Sequence, residues 1–325
     1  MAKRVALLSL QLAVTAAGMY YVFHDASQRA RIGEALHNAD WRWLALGWAC
    51  YGLVEALATF RWQLLLRIQG VTLGWLRTGA IVVIGLFFNL FLPGLVGGDA
   101  MRLYLIFKEV PGKKASAALS IVLDRLLGLV SILVLAALVV SFRFAWLNRY
   151  QQTAHITYLA LGLLTASALF AIGLLVAVGF GLLKRLPGKF PFRKGIVKAG
   201  AAVTLYASRP GISVAALGLT IVSHCAYYLS YYCAAASLHR SAGMTPALLD
   251  FMSIMPLVNS ITGVPISFGG VGLRETLFQK LLGDLAGMPL APAALAASLG
   301  FAIQASWGIL GGLAYVLISF QERKR

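Results

Sequence analysis

The sequence is poor in charged residues, and most of those it has are basic. Only 12% of its 325 residues are charged, with 28 Lys and Arg against 11 Asp and Glu. Hydrophobic residues make up 60% of the chain, and the mean hydropathy is +0.81. Because soluble globular domains carry about 25% charged residues, this composition excludes that class and indicates an integral membrane protein.

Several chemical signatures are missing. The three cysteines, Cys50, Cys225 and Cys233, are too few for a disulfide framework and have no C-x-x-C spacing. The histidines show no metal-ligand spacing, and G-x-S-x-G, H-E-x-x-H and P-loop motifs are absent. We therefore expect no metal, no cofactor and no enzymatic activity. In a membrane protein the basic excess is a topology signal, so we also expect no nucleic-acid partner.

Long apolar segments recur along the whole chain. A bilayer core about 30 Å thick needs about 20 apolar residues per helical span. Segments that meet this test begin near Val5, Leu44, Trp75, Ala117, Ile156, Gly211, Ala247 and Pro292. The first has no A-x-A cleavage site and is expected to remain as a span. The pattern predicts an all-α membrane protein, a polytopic helical bundle forming a single transmembrane domain over residues 1–325.

Two stretches of the chain share one motif. NLFLPGLVGGDAMRLY (89–104) and NSITGVPISFGGVGLRE (259–275) both contain P-x-x-x-G-G-x-x-x-R. The matched positions are Pro93, Gly97, Gly98 and Arg102 in the first copy and Pro265, Gly269, Gly270 and Arg274 in the second. An asparagine precedes each proline, at Asn89 and Asn259. The matched order predicts an internal duplication with halves of approximately 1–142 and 155–320.

The distribution of basic residues bears on the topology. The 184–209 loop contains a run of Lys and Arg without an acidic residue and is expected to be cytoplasmic. Most basic residues fall inside if the segments from Trp75 and Ala247 each enter and leave the membrane on one side, with both termini cytoplasmic. The alternative topology, eight full spans with the N-terminus outside, places slightly fewer basic residues on the cytoplasmic side. The first arrangement predicts two re-entrant or broken-helix hairpins in an inverted repeat, within the cytoplasmic (inner) membrane.

The repeated motif has the chemistry of an anion site. Proline and glycine interrupt a helix, and the N-terminus of the helix that follows favours anions. Arg102 and Arg274 add guanidinium groups with bidentate geometry for phosphate, and Ser267 adds a hydroxyl donor. Asp99 and Glu275 would then cap the helices or pair with the arginines. The alternative is a structural kink, with two helix pairs packed through glycine.

Four further charged residues lie inside apolar spans, where an ionisable group is costly unless it is paired or hydrated. They are Glu55, Arg61, Asp124 and Arg125. Because Asp124 and Arg125 are sequence neighbours, they point to different faces of a helix, and each is expected to pair across the bundle. These four residues belong either to the site or to structural ion pairs.

Several segments resemble a known family. RWQLLL (61–66), NLFLPGLVGGDAMRLYLI (89–106), LDRLLGL (123–129) and VPISFGGVGLRE (264–275) are similar to the flippase-like family that includes the membrane domain of bacterial lysylphosphatidylglycerol synthetases. The resemblance implies the handling of anionic or polyprenyl-linked lipids. It also implies that the family's site roles apply to the residues matching its motifs, which are Arg61, Asn89, Pro93, Gly97, Gly98, Asp99, Arg102, Arg125, Gly269, Gly270, Arg274 and Glu275. Synthetases add a soluble aminoacyltransferase domain, whereas this chain stops at Arg325, so aminoacylation is not expected.

Together these features predict a lipid translocase. It would bind an anionic phospholipid or a polyprenyl-phosphate-linked lipid and move it across the membrane. The alternatives are a non-transporting lipid-binding subunit of a lipid or glycan biosynthesis system and, third, a membrane-embedded transferase. The expected partners are membrane lipids, and a synthase partner or a homo-oligomer is compatible with this function. The substrate-binding set also includes Glu55, Asp124, Asn259, Pro265 and Ser267.

Overall fold

The computed structural model describes residues 20, 26–91, 96–182, 206, 208–264 and 267–323. Almost all of these residues are helical, and no strand occurs among them. The prediction of an all-α membrane protein is confirmed. In lipid, a helix satisfies the backbone hydrogen-bonding groups within one segment, which explains this architecture. The segment beginning near Val5, Pro93, Pro265, most of the 184–209 loop and Arg325 lie outside the described residues.

The helices differ widely in length. In chain order they are α1 (Ala26–His37), α2 (Trp41–Ile68), α3 (Trp75–Phe91), α4 (Val96–Glu109), α5 (Lys114–Leu147), α6 (Gln151–Gly179), α7 (Pro210–Ala236), α8 (His239–Ala242), α9 (Leu248–Thr262), α10 (Leu273–Ala286) and α11 (Leu290–Arg323). Two short 3₁₀ turns, Pro111–Lys113 and Phe268–Gly270, precede α5 and α10.

Five helices in the described part of the chain are long and apolar enough to cross a membrane, which makes this a multi-pass membrane protein. These candidate spans are Trp41–Ile68, Pro111–Leu147, Gln151–Gly179, Pro210–Ala236 and Leu290–Ile318. The segments predicted from Trp75 and Ala247 instead form the shorter apolar helices Trp75–Leu90 and Leu248–Thr262. Each of these short helices precedes one copy of the repeated motif.

Helices α3 and α4 lie side by side and antiparallel. At one end, Arg77 Nε donates to Glu109 Oε1 over 2.6 Å. At the other end, the backbone N–H of Gly98 donates to Asn89 Oδ1 over 2.8 Å. A Cβ atom on Gly98 would lie 2.3 Å from the carbonyl oxygen of Gly85, so a side chain there would prevent this approach. Gly97 and Gly98 are inside α4, which begins at Val96.

Helices α9 and α10 form a second antiparallel pair. The rings of Phe251, near the start of α9, and Phe278, in α10, lie 5.8 Å apart at 80°. At the opposite end, a Cβ atom on Gly270 would lie 3.3 Å from Thr262 Cβ. Gly269, Gly270 and Gly272 have φ angles of 61°, 79° and 81°, a left-handed conformation that glycine adopts readily. The second Gly-Gly pair therefore forms a turn, whereas the first lies in a helix.

The two short pairs pack around long central helices. The buried cluster of Tyr51, Leu86, Ala234 and Ile303 joins α2, α3, α7 and α11. Helix α11 approaches α3 so closely that a Cβ atom on Gly311 would lie 2.0 Å from the carbonyl oxygen of Val83. This packing places the helix that precedes the first motif against three long helices of the bundle. The inverted repeat and the division into halves stay predictions.

Candidate functional site

A cavity of about 570 Å³ lies between the two short helix pairs. Its walls come from α2, α3, α5, α6, α7, α9, the turn that precedes α10, α10 itself and α11. It therefore brings together residues from both halves of the sequence. Among the predicted site residues, the lining includes Arg61, Asn89, Asp124, Arg125, Asn259, Ser267, Gly269, Gly270 and Arg274.

The other predicted residues lie elsewhere. Gly97, Gly98, Asp99, Arg102 and Glu275 surround the cavity without belonging to its lining. Glu55 is buried in α2 beside Tyr51 and is likewise not in the lining. Pro93 and Pro265 lie outside the described residues. The motif therefore divides into residues that reach the cavity and residues that support its walls.

Asp124 joins three helices next to the cavity. Its carboxylate accepts a hydrogen bond from Arg61 Nε at 2.7 Å and another from a terminal nitrogen of Arg102 at 3.2 Å. The three side chains come from α2, α4 and α5. The Asp124 side chain is 5% exposed, so little water is available to hydrate the charges. Removing one partner of such a buried ion pair strongly destabilises a protein, because the other charge is left without compensation.

Arg102 is held in place from a second side. Its guanidinium carbon lies 4.3 Å from the centre of the Trp62 ring, a cation–π contact. Trp62 Nε1 in turn donates to Ser120 Oγ over 3.0 Å. Arg102 also lies 3.5 Å from Asp99. With two carboxylates and one indole as neighbours, Arg102 connects α4 to α2 and α5.

Arg125 reaches the cavity but is also paired. Its Nε donates to Asp99 Oδ2 and its NH2 donates to Asp99 Oδ1, both over 2.6 Å. This is the bidentate geometry that a guanidinium forms with a carboxylate. The Arg125 side chain is 48% exposed, so one side of it remains open. Among the described residues near the first motif, Arg61, Arg102 and Arg125 all have carboxylate partners.

Arg274 has a different environment. It is buried, and no ion pair is found for it in the described part of the chain. Its guanidinium carbon lies 5.4 Å from the Tyr231 ring centre and 5.9 Å from that of Phe301. Its NH1 atom is buried without a hydrogen-bond partner. A Cβ atom on Gly270 would lie 2.9 Å from Arg274 NH2, so the glycine leaves room for the guanidinium.

The neighbouring acid, Glu275, is engaged elsewhere. Its Oε2 accepts the backbone N–H of Gly272 at 2.7 Å, and its Oε1 accepts the hydroxyl of Ser298 at 3.1 Å. Glu275 therefore caps α10, and no ion pair joins it to Arg274 among the described residues. In the first motif, Asn89 accepts the N–H of Gly98 in a similar way. These two N–H groups, which we expected to face an anion, already have acceptors.

Two further polar atoms near Arg274 have no partner. Ser267 Oγ and Gln304 Oε1 are both buried without a hydrogen bond, and both residues line the cavity. A buried polar group without a partner costs free energy. The arginine NH1 and the serine hydroxyl offer donors, and the glutamine oxygen offers an acceptor. The cavity wall at Arg274 therefore has unused hydrogen-bonding capacity.

Sequence reasoning missed several lining residues. Gln304 is the only glutamine in the apolar segment from Pro292 to Phe320, a signal that could have identified it. His224, to which we assigned no site, lines the cavity. Its Nδ1 lies 3.0 Å from the carbonyl oxygen of Thr220. Tyr227 and Ser260 also line the cavity and were not predicted.

The arrangement does not resemble a metal centre. Within the described residues, no group of three or more His, Cys, Asp or Glu side chains could hold a metal ion. The ionisable residues of the cavity are mainly guanidinium groups, which bind carboxylates and phosphates rather than cations. The chemistry that this donor set supports best is the binding of an anion.

Comparison with known proteins identifies the family of this chain. Residues 8–312 match the family described as the lysylphosphatidylglycerol synthase TM region. The chain belongs to this family. A UPF0104 membrane protein of Methanocaldococcus jannaschii is 26% identical over 152 residues, which are 45% of this chain and 45% of that protein. No solved structure matches the chain. The resemblance seen in the sequence motifs is thus confirmed, and the family is associated with membranes and lipid metabolism.

Proposed function

We propose that this family member is a lipid translocase that binds a phosphate-bearing lipid in the central cavity and moves it across the membrane. The observation that carries the proposal is Arg274, a buried guanidinium that lines the cavity and has no carboxylate partner among the described residues. A buried charge of this kind needs a counter-ion or hydration. The phosphate of a lipid headgroup supplies the missing charge.

The donors next to Arg274 suit a phosphate. Phosphate oxygens accept from guanidinium groups in a bidentate manner, and Arg274 NH1 has no partner of its own. Ser267 adds a hydroxyl in the same cavity. Arg125 also lines the cavity and is half exposed, so it presents a guanidinium to the ligand in addition to its pair with Asp99. The site therefore favours a lipid with at least one phosphate over a neutral lipid.

The remaining lining suits the apolar part of a lipid. Apolar side chains occupy a large share of the cavity wall, including Val54, Leu90, Leu129, Ile132, Leu163, Leu164, Val264 and Phe301. A site for a soluble anion has no need of such a surface, whereas a lipid presents a charged headgroup joined to hydrocarbon. The combination of arginines and aliphatic walls favours an amphipathic ligand.

The two short helix pairs supply a route for movement. We propose that α3 with α4 and α9 with α10 are re-entrant pairs that enter the membrane from opposite sides. In transporters built from inverted repeats, broken helices meet near the bilayer midplane at the substrate site. Here each pair contributes to the cavity, through Asn89 in the first pair and Asn259 in the second. Rocking of one pair against the other would expose the cavity to each side in turn.

Reconstitution of the purified chain tests this function. Fluorescent phosphatidylglycerol and phosphatidylcholine are placed in proteoliposomes, and accessibility of each label to an external quencher is followed over time. We expect faster movement of phosphatidylglycerol than in protein-free vesicles, and little effect on phosphatidylcholine. Binding of phosphatidylglycerol without movement would instead support the lipid-binding subunit. Equal movement of both lipids would contradict the role of Arg274 as a selective anion site.

A further inference from the structure

Gly128, in the middle of α5, borders an empty part of the cavity. It belongs to the cavity lining, and a Cβ atom on it would meet no atom within 4 Å. Close packing therefore does not require glycine here. At Gly98 and Gly311, by contrast, a Cβ atom would lie 2.3 Å and 2.0 Å from a neighbouring carbonyl oxygen. Gly162 and Gly218 have the same free space but lie outside the lining, so Gly128 is distinguished from them by its position at the cavity.

The lining residues of α5 form one stripe with a change in polarity. Arg125, Gly128, Leu129 and Ile132 all line the cavity, and their spacing places them on one face of the helix. The stripe runs from a charged side chain to aliphatic ones over about 10 Å, given the rise per residue of an α-helix. A lipid changes from phosphate to hydrocarbon over a comparable length. Gly128 lies where the two parts meet.

Helix α6 follows α5 in the chain and also lines the cavity, through Leu163, Leu164 and Ser167. The two helices touch near the turn that connects them, where the rings of Phe144 and Tyr158 lie 6.3 Å apart. At Gly128 the space is empty. The helices therefore border a cleft that is closed near Phe144 and open at Gly128.

We propose that the cleft between α5 and α6 is a subsite for the hydrocarbon chain of the lipid, and that the chain enters it from the bilayer past Gly128. This inference rests on the proposed function, because it places the headgroup between Arg125 and Arg274. An acyl or isoprenoid chain would lie against Leu129, Ile132 and Leu163. The hydrocarbon chain then stays in apolar surroundings while the headgroup occupies the polar part of the cavity. This arrangement keeps hydrocarbon away from water and the phosphate away from the apolar bilayer core.

Photo-crosslinking in the wild-type chain tests the subsite directly. Phosphatidylglycerol with a diazirine near the ester end of its acyl chain is one probe, and a polyprenyl phosphate with a diazirine in its first isoprene units is the other. We expect labelled peptides to include residues 128–132 and 163–167 with at least one probe, and the more efficient probe identifies the type of chain. Labelling confined to other helices would overturn the subsite.

Substitution of Gly128 supplies a second test. Gly128→Leu should lower crosslinking and lipid movement by about tenfold, because it fills the space that the chain would occupy. Gly218→Leu is the matched control, since Gly218 also has no atom within 4 Å of a Cβ but lies outside the lining. Gly128→Ala, which adds one carbon to the same space, should lower crosslinking and movement by a smaller factor and provides the test if the leucine variant does not fold. Wild-type labelling and movement in Gly128→Leu would contradict the proposal.

The two proposals fail in different ways. If the lipid crosslinks to the cleft but the protein moves no lipid in proteoliposomes, the subsite proposal stands and the translocation proposal is wrong. If the protein moves phosphatidylglycerol while the label is found outside the cleft between α5 and α6, the translocation proposal stands and the subsite proposal is wrong.

Discussion

Arg125 and Asp99 form a two-point ion pair between α5 and α4, with both nitrogen–oxygen distances at 2.6 Å. Together with the contacts of Asp124 to Arg61 and Arg102, this pair gives each arginine near the first motif a carboxylate partner. Arg274, the matching arginine of the second motif, has none in the described part of the chain. The first motif therefore mainly holds helices together, whereas Arg274 of the second motif keeps the charge that we propose binds the lipid.

Arg274→Ala should weaken the binding of phosphatidylglycerol by about 10²-fold, because a hydrogen bond to a charged group contributes about 1.5–3 kcal/mol. Arg274→Lys should restore binding only in part, since a point charge replaces a planar fork. Native mass spectrometry with titrated lipid measures the change. Arg149→Ala, which removes an arginine packed on Tyr150 at a helix end, is the control and should bind normally. Unchanged binding by Arg274→Ala would remove the basis of the anion site.

Asp124→Ala should lower the free energy of unfolding by about 3–5 kcal/mol, because it leaves the buried Arg102 and the largely buried Arg61 without their shared carboxylate. Thermal unfolding in detergent, followed by size-exclusion chromatography, measures the loss. Glu109→Gln is the matched control. It breaks the pair with Arg77, in which both side chains are a quarter or more exposed, and an exposed pair contributes about 1 kcal/mol or less.

Arg102→Ala should behave like the Asp124 variant, with lower stability and near-normal lipid affinity in the fraction that folds. The reason is that Arg102 contacts Asp124, Asp99 and Trp62 and does not line the cavity. This expectation replaces the equal roles that the repeated motif suggests for Arg102 and Arg274. Normal stability combined with lost lipid binding would return Arg102 to the ligand site.

The sequence predicts the helices better than the partners of their charges. Apolar runs identify the long spans because hydropathy acts locally along the chain. Arg102 and Arg274 occupy equal positions in the motif, yet Asp99 lies three residues before Arg102 on the same helix face, whereas Glu275 follows Arg274 directly and caps its helix. The partnership of Asp124 with two arginines, and the presence of His224 and Gln304 in the cavity, depend on packing between distant segments, which no local pattern encodes.

Gly98→Ala should destabilise the protein by about 1–3 kcal/mol, the usual effect of overfilling a packed site. The added Cβ would lie 2.3 Å from the carbonyl oxygen of Gly85 and 2.5 Å from the Asn89 side chain, which would force α3 and α4 apart. Gly162→Ala in α6 is the control. Its Cβ meets nothing within 4 Å, so we expect equal or slightly higher stability. Equal thermal stability of both variants would contradict the close approach of α3 and α4.

Cysteine labelling tests the orientation of the two short helix pairs. The background lacks Cys50, Cys225 and Cys233. Single cysteines are placed at two exposed positions, one at Gly112, which follows α4, and one at Asp284, near the end of α10. If the pairs enter from opposite faces, a membrane-impermeant maleimide should label the two positions from opposite sides of sealed, oriented vesicles. Labelling of both positions from one side would exclude the inverted arrangement.

The preference for anionic lipid should survive high salt. Charges in a buried cavity are screened weakly, whereas a basic surface loses most of its attraction at 0.5 M salt, where the Debye length is about 4 Å. The competing site would be the basic 184–209 segment, which we expect to be a cytoplasmic loop and which contains Lys184, Arg185 and Lys189. We expect phosphatidylglycerol to outcompete phosphatidylcholine at low and at high ionic strength. Replacing these three residues with glutamine should remove only the salt-sensitive part of the binding, and Arg274→Ala should remove the salt-resistant part. A preference that disappears at 0.5 M salt in the wild-type chain would assign the selectivity to the loop and leave the paired motifs as structural elements.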